Sequence, residues 1–175
     1  MLEKIIERLP KEAEQGHLLQ LEQAEQLFHY SSFTSRDALN LGNEIIRAAV
    51  KHGEEPAVRI IRLSDSLILF QYVGENRSER NLDFAQGKGN TAVRSGHSSL
   101  YALVHSAAEQ SDPYQLEEQD DCIPAGGAFP IFDGEKLTAA VMISGLPNGL
   151  DHTVVVEARC HMLGCDVPKY DGPLI

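Results

Sequence analysis

Apolar residues recur at helical spacing in several stretches of this chain and alternate at strand spacing in others, and the order of these stretches sets the expected fold. Leu2, Ile5, Ile6 and Leu9 mark a short amphipathic helix that Pro10 limits. Residues 16–30 carry no decisive period. At Thr34-Ser35-Arg36-Asp37 a hydroxyl stands three residues before a carboxylate, the spacing of a capping box. Ala38, Leu41, Ile45, Ala49 and His52 follow, which predicts a helix that stops at Gly53. Two runs rich in branched residues, 57–63 and 67–73, flank Ser64-Asp65-Ser66 and predict a hairpin. Residues 77–96 are polar with scattered apolar positions and are expected to include helical turns. Ser98 or Ser99 then caps a helix with Leu100, Val104 and Ala107 on one face. A second hairpin, 129–132 and 137–144, turns on Asp133-Gly134-Glu135-Lys136. Its second strand has Leu137, Ala139, Val141 and Ile143 on one face and Ala140 and Met142 on the other, so both faces are expected to be covered. Leu150, Val154, Ala158 and Met162 predict a last helix over 150–163, although Thr153-Val154-Val155-Val156 also suits a strand. Hairpins interrupted by helices give an α+β class, with a central antiparallel sheet of four or five strands flanked by helices.

Residues 109–121 gather six acidic side chains around Pro113 without any period, as expected of an exposed loop with no function of its own. A single domain is expected over 1–164, with 165–175 as a C-terminal tail containing two prolines. The chain's 175 residues suffice for a core of its own. With 26 acidic against 15 basic residues the formal charge is −11, which repels phosphate-rich partners and argues against nucleic acid. Cys122, Cys160 and Cys165 form no disulfide framework, so a reducing, cytoplasmic setting is expected. The first ten residues mix charge into every turn, unlike a signal sequence. No apolar run approaches the ~20 residues of a membrane-spanning helix.

Familiar catalytic signatures are missing: no His-Glu-x-x-His, Cys-x-x-Cys, phosphate loop or nucleophile elbow occurs. Gly96-His97-Ser98-Ser99-Leu100 lacks the last glycine of such an elbow, and Gly87-Lys88-Gly89 lacks the third glycine of a dinucleotide fingerprint. Candidate chemistry concentrates in 124–152. Gly126-Gly127 opens backbone amides to a ligand carboxylate, or else forms a strained entry to the strand of Phe129 and Pro130. Asp151-His152 offers a carboxylate and an imidazole for ligation or proton transfer, yet adjacent helical residues do not face each other, and Asp151 also suits a helix start. His97 meets a ligand or is solvated. Lys88 and Arg94 form an anion site or ordinary ion pairs. Cys122, among acidic neighbours, is expected to keep a raised pKa and to be no nucleophile.

Three ordered motifs, residues 90–99, Gly126-Gly127-Ala128-Phe129-Pro130-Ile131, and Ser144-Gly145-Leu146 with Asp151-His152, resemble an uncharacterised branch of the haem-degrading-domain superfamily, the GlcG/HbpS-like proteins. Residues 33–42 resemble it too, so the likeness runs from about Phe33 to Leu163. The resemblance implies a profilin-like α+β domain in a symmetric homo-oligomer, with no settled reaction. It also implies a small-molecule ligand, haem or a related tetrapyrrole, in a pocket built from His97, Gly126, Gly127, Phe129, Asp151 and His152. No axial ligand carries over from better-known relatives, and no metal site is expected. Two readings stay open beside it: a small enzyme using Asp151 and His152 as acid and base, and a structural or protein-interaction scaffold.

Overall fold

Residues 14–174 are described by a computed structural model; the helix expected over residues 2–9 lies outside them. Helix α1 (Glu14–Glu25) passes through a 3-10 turn (Gln26–Phe28) into the short strand β1 (His29–Tyr30). Helix α2 (Ser35–Lys51), the hairpin β2 (Ala57–Arg62) and β3 (Leu67–Val73), and helices α3 (Glu79–Ser95) and α4 (Ser99–Glu109) follow. The hairpin β4 (Ala128–Asp133) and β5 (Lys136–Ser144) leads to α5 (Leu150–Leu163). The class is α+β, around one five-stranded sheet of order β1-β4-β5-β2-β3.

That sheet is mixed rather than wholly antiparallel. β1 pairs parallel to β4, His29 opposite Phe132 and Tyr30 opposite Asp133, whereas the other three pairings are antiparallel. Residues 16–25 lie in α1, whose apolar positions do not gather into one stripe, and the two-residue strand that ends the stretch cannot display alternation, so residues 16–30 gave no period.

The capping box at α2 is present: Thr34 N donates to Asp37 Oδ2 at 2.7 Å, and Asp37 N donates to Thr34 Oγ1 at 3.2 Å. Within residues 77–96, Glu79–Ser95 form one continuous helix. Ser78 caps it with Asn81 in place of the usual carboxylate, and its inner face is built from Ala85, Gly89 and Ala92. A Cβ at Gly89 would stand 2.6 Å from Met142 Sδ, so glycine lets the α3 backbone lie directly on β5. The glycines of Gly87-Lys88-Gly89 are thus packing residues inside a helix, not a phosphate loop.

Both faces of β5 are covered, as its double apolar alternation predicts. On one face Val58, Ile60, Phe129, Ile131, Val141 and Ile143 pack with Leu41 and Ile45 of α2 and Val154 and Ala158 of α5. On the other, Ala128, Ala140, Met142 and Ile61 pack with Ala85, Ala92 and Val93 of α3. α1 and α4 join through Leu21, Leu100 and Val104. Two imidazole–carboxylate contacts tie α2 to α5, His52 to Glu157 at 2.8 Å and His161 to Glu44 at 2.7 Å.

Residues 110–121 hold no helix or strand, but they are not simply solvated. Leu116 is buried with Leu103, Ala107 and Cys122, pinning the acidic loop to α4. The segment after α5 is likewise irregular yet docked: Asp171 N donates to Gln20 Oε1 at 3.2 Å, and Leu174 packs against Gly149.

Candidate functional site

Gly127 has φ +124°, and a Cβ there would lie 2.8 Å from both Asp151 Cβ and Ile143 O. Glycine is therefore required at this position, and the close approach it permits is made by the chain's own α5 and β5. Its carbonyl accepts from Ile143 N at 2.9 Å, and Gly126 beside it is buried.

Asp151 in the first turn of α5 is 7% exposed. Its Oδ2 accepts from Lys88 Nζ at 2.7 Å and its Oδ1 from Leu146 N at 3.1 Å. Lys88, 6% exposed, also reaches Ile143 O at 3.4 Å, so an ion pair bridges the two helical layers past the end of β5. Burial pushes the Asp151 carboxyl above its usual range, and Lys88 followed by the Leu146 amide opposes that shift. Lys88 is thus an interior partner of Asp151. Arg94 stands apart, donating to Tyr114 O at 2.8 Å.

His152, one residue on, turns elsewhere, as helical geometry requires. Its ring lies 4.8 Å from that of Phe129 and 5.9 Å from that of Tyr170 in the C-terminal segment. Only 3% of the residue is exposed, and its Nδ1 is buried with no hydrogen-bond partner. Burial pushes its pKa down to about 3, so the imidazole is neutral across the physiological range.

His97 belongs to a different cluster. Its Nδ1 sits 2.8 Å from Glu25 Oε2, its ring stacks on Tyr101 at 4.0 Å, and Glu25 Oε1 accepts from Ser98 N at 2.6 Å. This joins the end of α1 to the start of α4. Gly127, Phe129, Asp151 and His152 therefore come together with Gly126 alongside, while His97 is committed to Glu25. Tyr170 and Glu25 went unrecognised in the sequence, and Lys88, read there with Arg94 as an anion site or an ordinary ion pair, is instead buried against Asp151. For Lys88 a signal did exist, since a lysine flanked by glycines on a small-residue helix face is placed against the sheet. No group of three or more His, Cys, Asp or Glu that could hold a metal ion occurs among the described residues. Cys122 is buried, and burial followed by Asp121 raises its pKa, against a nucleophilic role.

The family model for the haem degrading protein HbpS-like group matches residues 33–159, which include all of these site residues except Tyr170 and Glu25. The chain belongs to the HbpS-like haem-degrading family. Within reach of this HbpS-like chain, a UPF0303 protein of Paraburkholderia phymatum is 33% identical over 144 residues, covering 80% of this chain and 86% of the relative. The crystal structure of Ybr137w protein is 28% identical with a TM-score of 0.71, covering 84% of this chain and 87% of that one. A PduOC:Heme complex superposes with a TM-score of 0.63 at 15% identity, covering 79% of this chain and 99% of that one, which is a likeness of fold. No helix among the described residues is long and apolar enough to cross a membrane.

Proposed function

We propose that this HbpS-like chain is an oligomeric binding domain for haem or a related tetrapyrrole, with His152 meeting the ligand between Phe129 and the C-terminal segment. The observation that carries this is the unpartnered Nδ1 of His152. Buried polar atoms ordinarily find a hydrogen bond, and one held without a partner in an aromatic setting suits a donor kept for something else. Haem supplies an iron that takes a neutral imidazole nitrogen, and burial keeps this ring neutral. Phe129 gives the ligand an aromatic wall. Asp151 acts at one remove: held by Lys88 and the Leu146 amide, it fixes the first turn of α5 and hence the ring beside it. That engagement also disfavours an acid/base pair of Asp151 and His152.

Phe129 is part of the core, whereas Tyr170 lies on a segment without helix or strand, so entry requires residues 165–174 to lift. Assembly is supported by apolar side chains left open to solvent, Leu39 and Val50 on α2 and Leu67 on the edge strand β3.

Titration of the full chain with hemin is expected to shift the Soret band. His152→Ala should abolish the shift while circular dichroism stays unchanged, His97→Ala should retain it, and removal of 165–175 should speed its onset. An unaltered Soret shift in folded His152→Ala would overturn the assignment.

A further inference from the structure

We infer that a cleft on the opposite face of the sheet, between α3 and the β2–β3 hairpin, binds an amphipathic dicarboxylate. This goes beyond the haem reading, because α3 and α5 cover different faces of the sheet. The cleft encloses about 650 Å³, within the range of ~300–1,000 Å³ typical of small-molecule sites. Its apolar lining comes from Ile61, Ile68 and Val93, and Arg59 and Arg94 line it as well.

Those two arginines are bonded only to neutral groups. Arg59 Nε donates to Gln71 Oε1 at 2.9 Å and its Nη1 to Gln86 Oε1 at 3.0 Å. Arg94 Nε donates to Tyr114 O at 2.8 Å and its Nη2 to Gln115 Oε1 at 3.2 Å. Arg59 Nη2 and Arg94 Nη1 are left with donors to spare among the described residues. In a chain with 26 acidic and 15 basic residues, carboxylates are abundant, yet among the described residues none pairs with either arginine. Amides and carbonyls aim the two guanidinium groups without neutralising them, so a carboxylate from outside can be held by charge-assisted hydrogen bonds at each.

The spacing selects the ligand. Gln86, Asn90 and Arg94 form one i, i+4 stripe on α3, with Gln86 Nε2 donating to Asn90 Oδ1 at 3.0 Å. Gln86 holds Arg59 at one end of that stripe and Arg94 forms the other, the backbones of Gln86 and Arg94 lying roughly 12 Å apart along the helix axis at the usual rise per residue. Between them Asp121 lines the cleft and accepts from Asn90 Nδ2 at 3.1 Å. The order of charge along the stripe is positive, negative, positive. A third anionic group at the middle is therefore repelled, while an uncharged apolar body rests against Ile61 and Val93 with its acid groups at the two ends.

Isothermal titration calorimetry of the full chain with decanedioate tests this, with decanoate as the single-carboxylate comparison. Decanedioate is expected to bind, decanoate at least tenfold more weakly. Arg59→Gln and Arg94→Gln should each weaken decanedioate about tenfold, and Arg59→Lys should recover part of the loss. His152→Ala, which removes the hemin response, should bind decanedioate like wild type. Absence of binding to the folded wild type, equal affinity in folded Arg59→Gln and Arg94→Gln, or loss on His152→Ala would each overturn the assignment.

Discussion

His152 couples folding to pH. Its folded pKa of about 3 lies well below the ~6.5 of an exposed imidazole, so the unfolded chain takes up a proton in acid that the folded chain refuses. This group contributes its full stability above pH ~6.5, and the contribution drains away as pH falls toward the folded value, at about 1.4 kcal/mol per pH unit. Urea denaturation between pH 7 and pH 4 should show that slope in wild type and a flatter one in His152→Phe, which keeps an aromatic ring against Phe129. A slope unchanged by the substitution would place its origin in other groups. At this scale the sequence was partly readable. The different headings of Asp151 and His152 follow from helical geometry, but the partners they find, Lys88 and Tyr170, depend on contacts far along the chain, as does the seating of His97 on Glu25.

Between elements, the Lys88–Asp151 pair joins α3 to α5 past the end of β5. Removing one member leaves a charge buried without its counterpart, a loss of about 3–5 kcal/mol where such pairs have been broken. Lys88→Met should therefore lower the urea midpoint sharply. Lys88→Met combined with Asp151→Leu should recover most of the loss, since neither charge then remains; additive losses in the double variant would show that the two side chains act independently. The legibility of the elements tracks the size of their buried side chains. α2 and α5 bury Leu41, Ile45, Val154 and Ala158, and α2 carries a cap with a carboxylate, so both helices could be placed closely. α3 meets the sheet with alanine and glycine and uses Asn81 in its cap, so neither its period nor its start stood out.

In the molecule as a whole, alternation and turn chemistry were enough to give two hairpins and helices on both faces, because β5 is apolar on each side. The parallel β1 was out of reach, being only two residues long and paired to a strand about a hundred residues away. The cleft on α3 was equally hidden, since Arg94 was paired in the sequence with Lys88, which turns inward to Asp151, and Arg59 read as an ordinary charged position until the sheet brings it beside Gln86. Assembly belongs to this scale. Light scattering at micromolar concentration should return a multiple of the 19.3 kDa chain mass, and a monomer would remove the oligomeric part of the proposed function.

Residues 14–32 and 160–174 flank the family-matched region on either side, and they touch one another. His17 lies 3.7 Å from Asp171, its ring is 5.8 Å from that of Tyr170, and Gln20 accepts from the Asp171 amide. The cover over the imidazole is thus stitched from sequence outside the stretch that the family model matches. Under the proposed function, changes confined to this clasp set how readily a guest enters without altering what greets it inside.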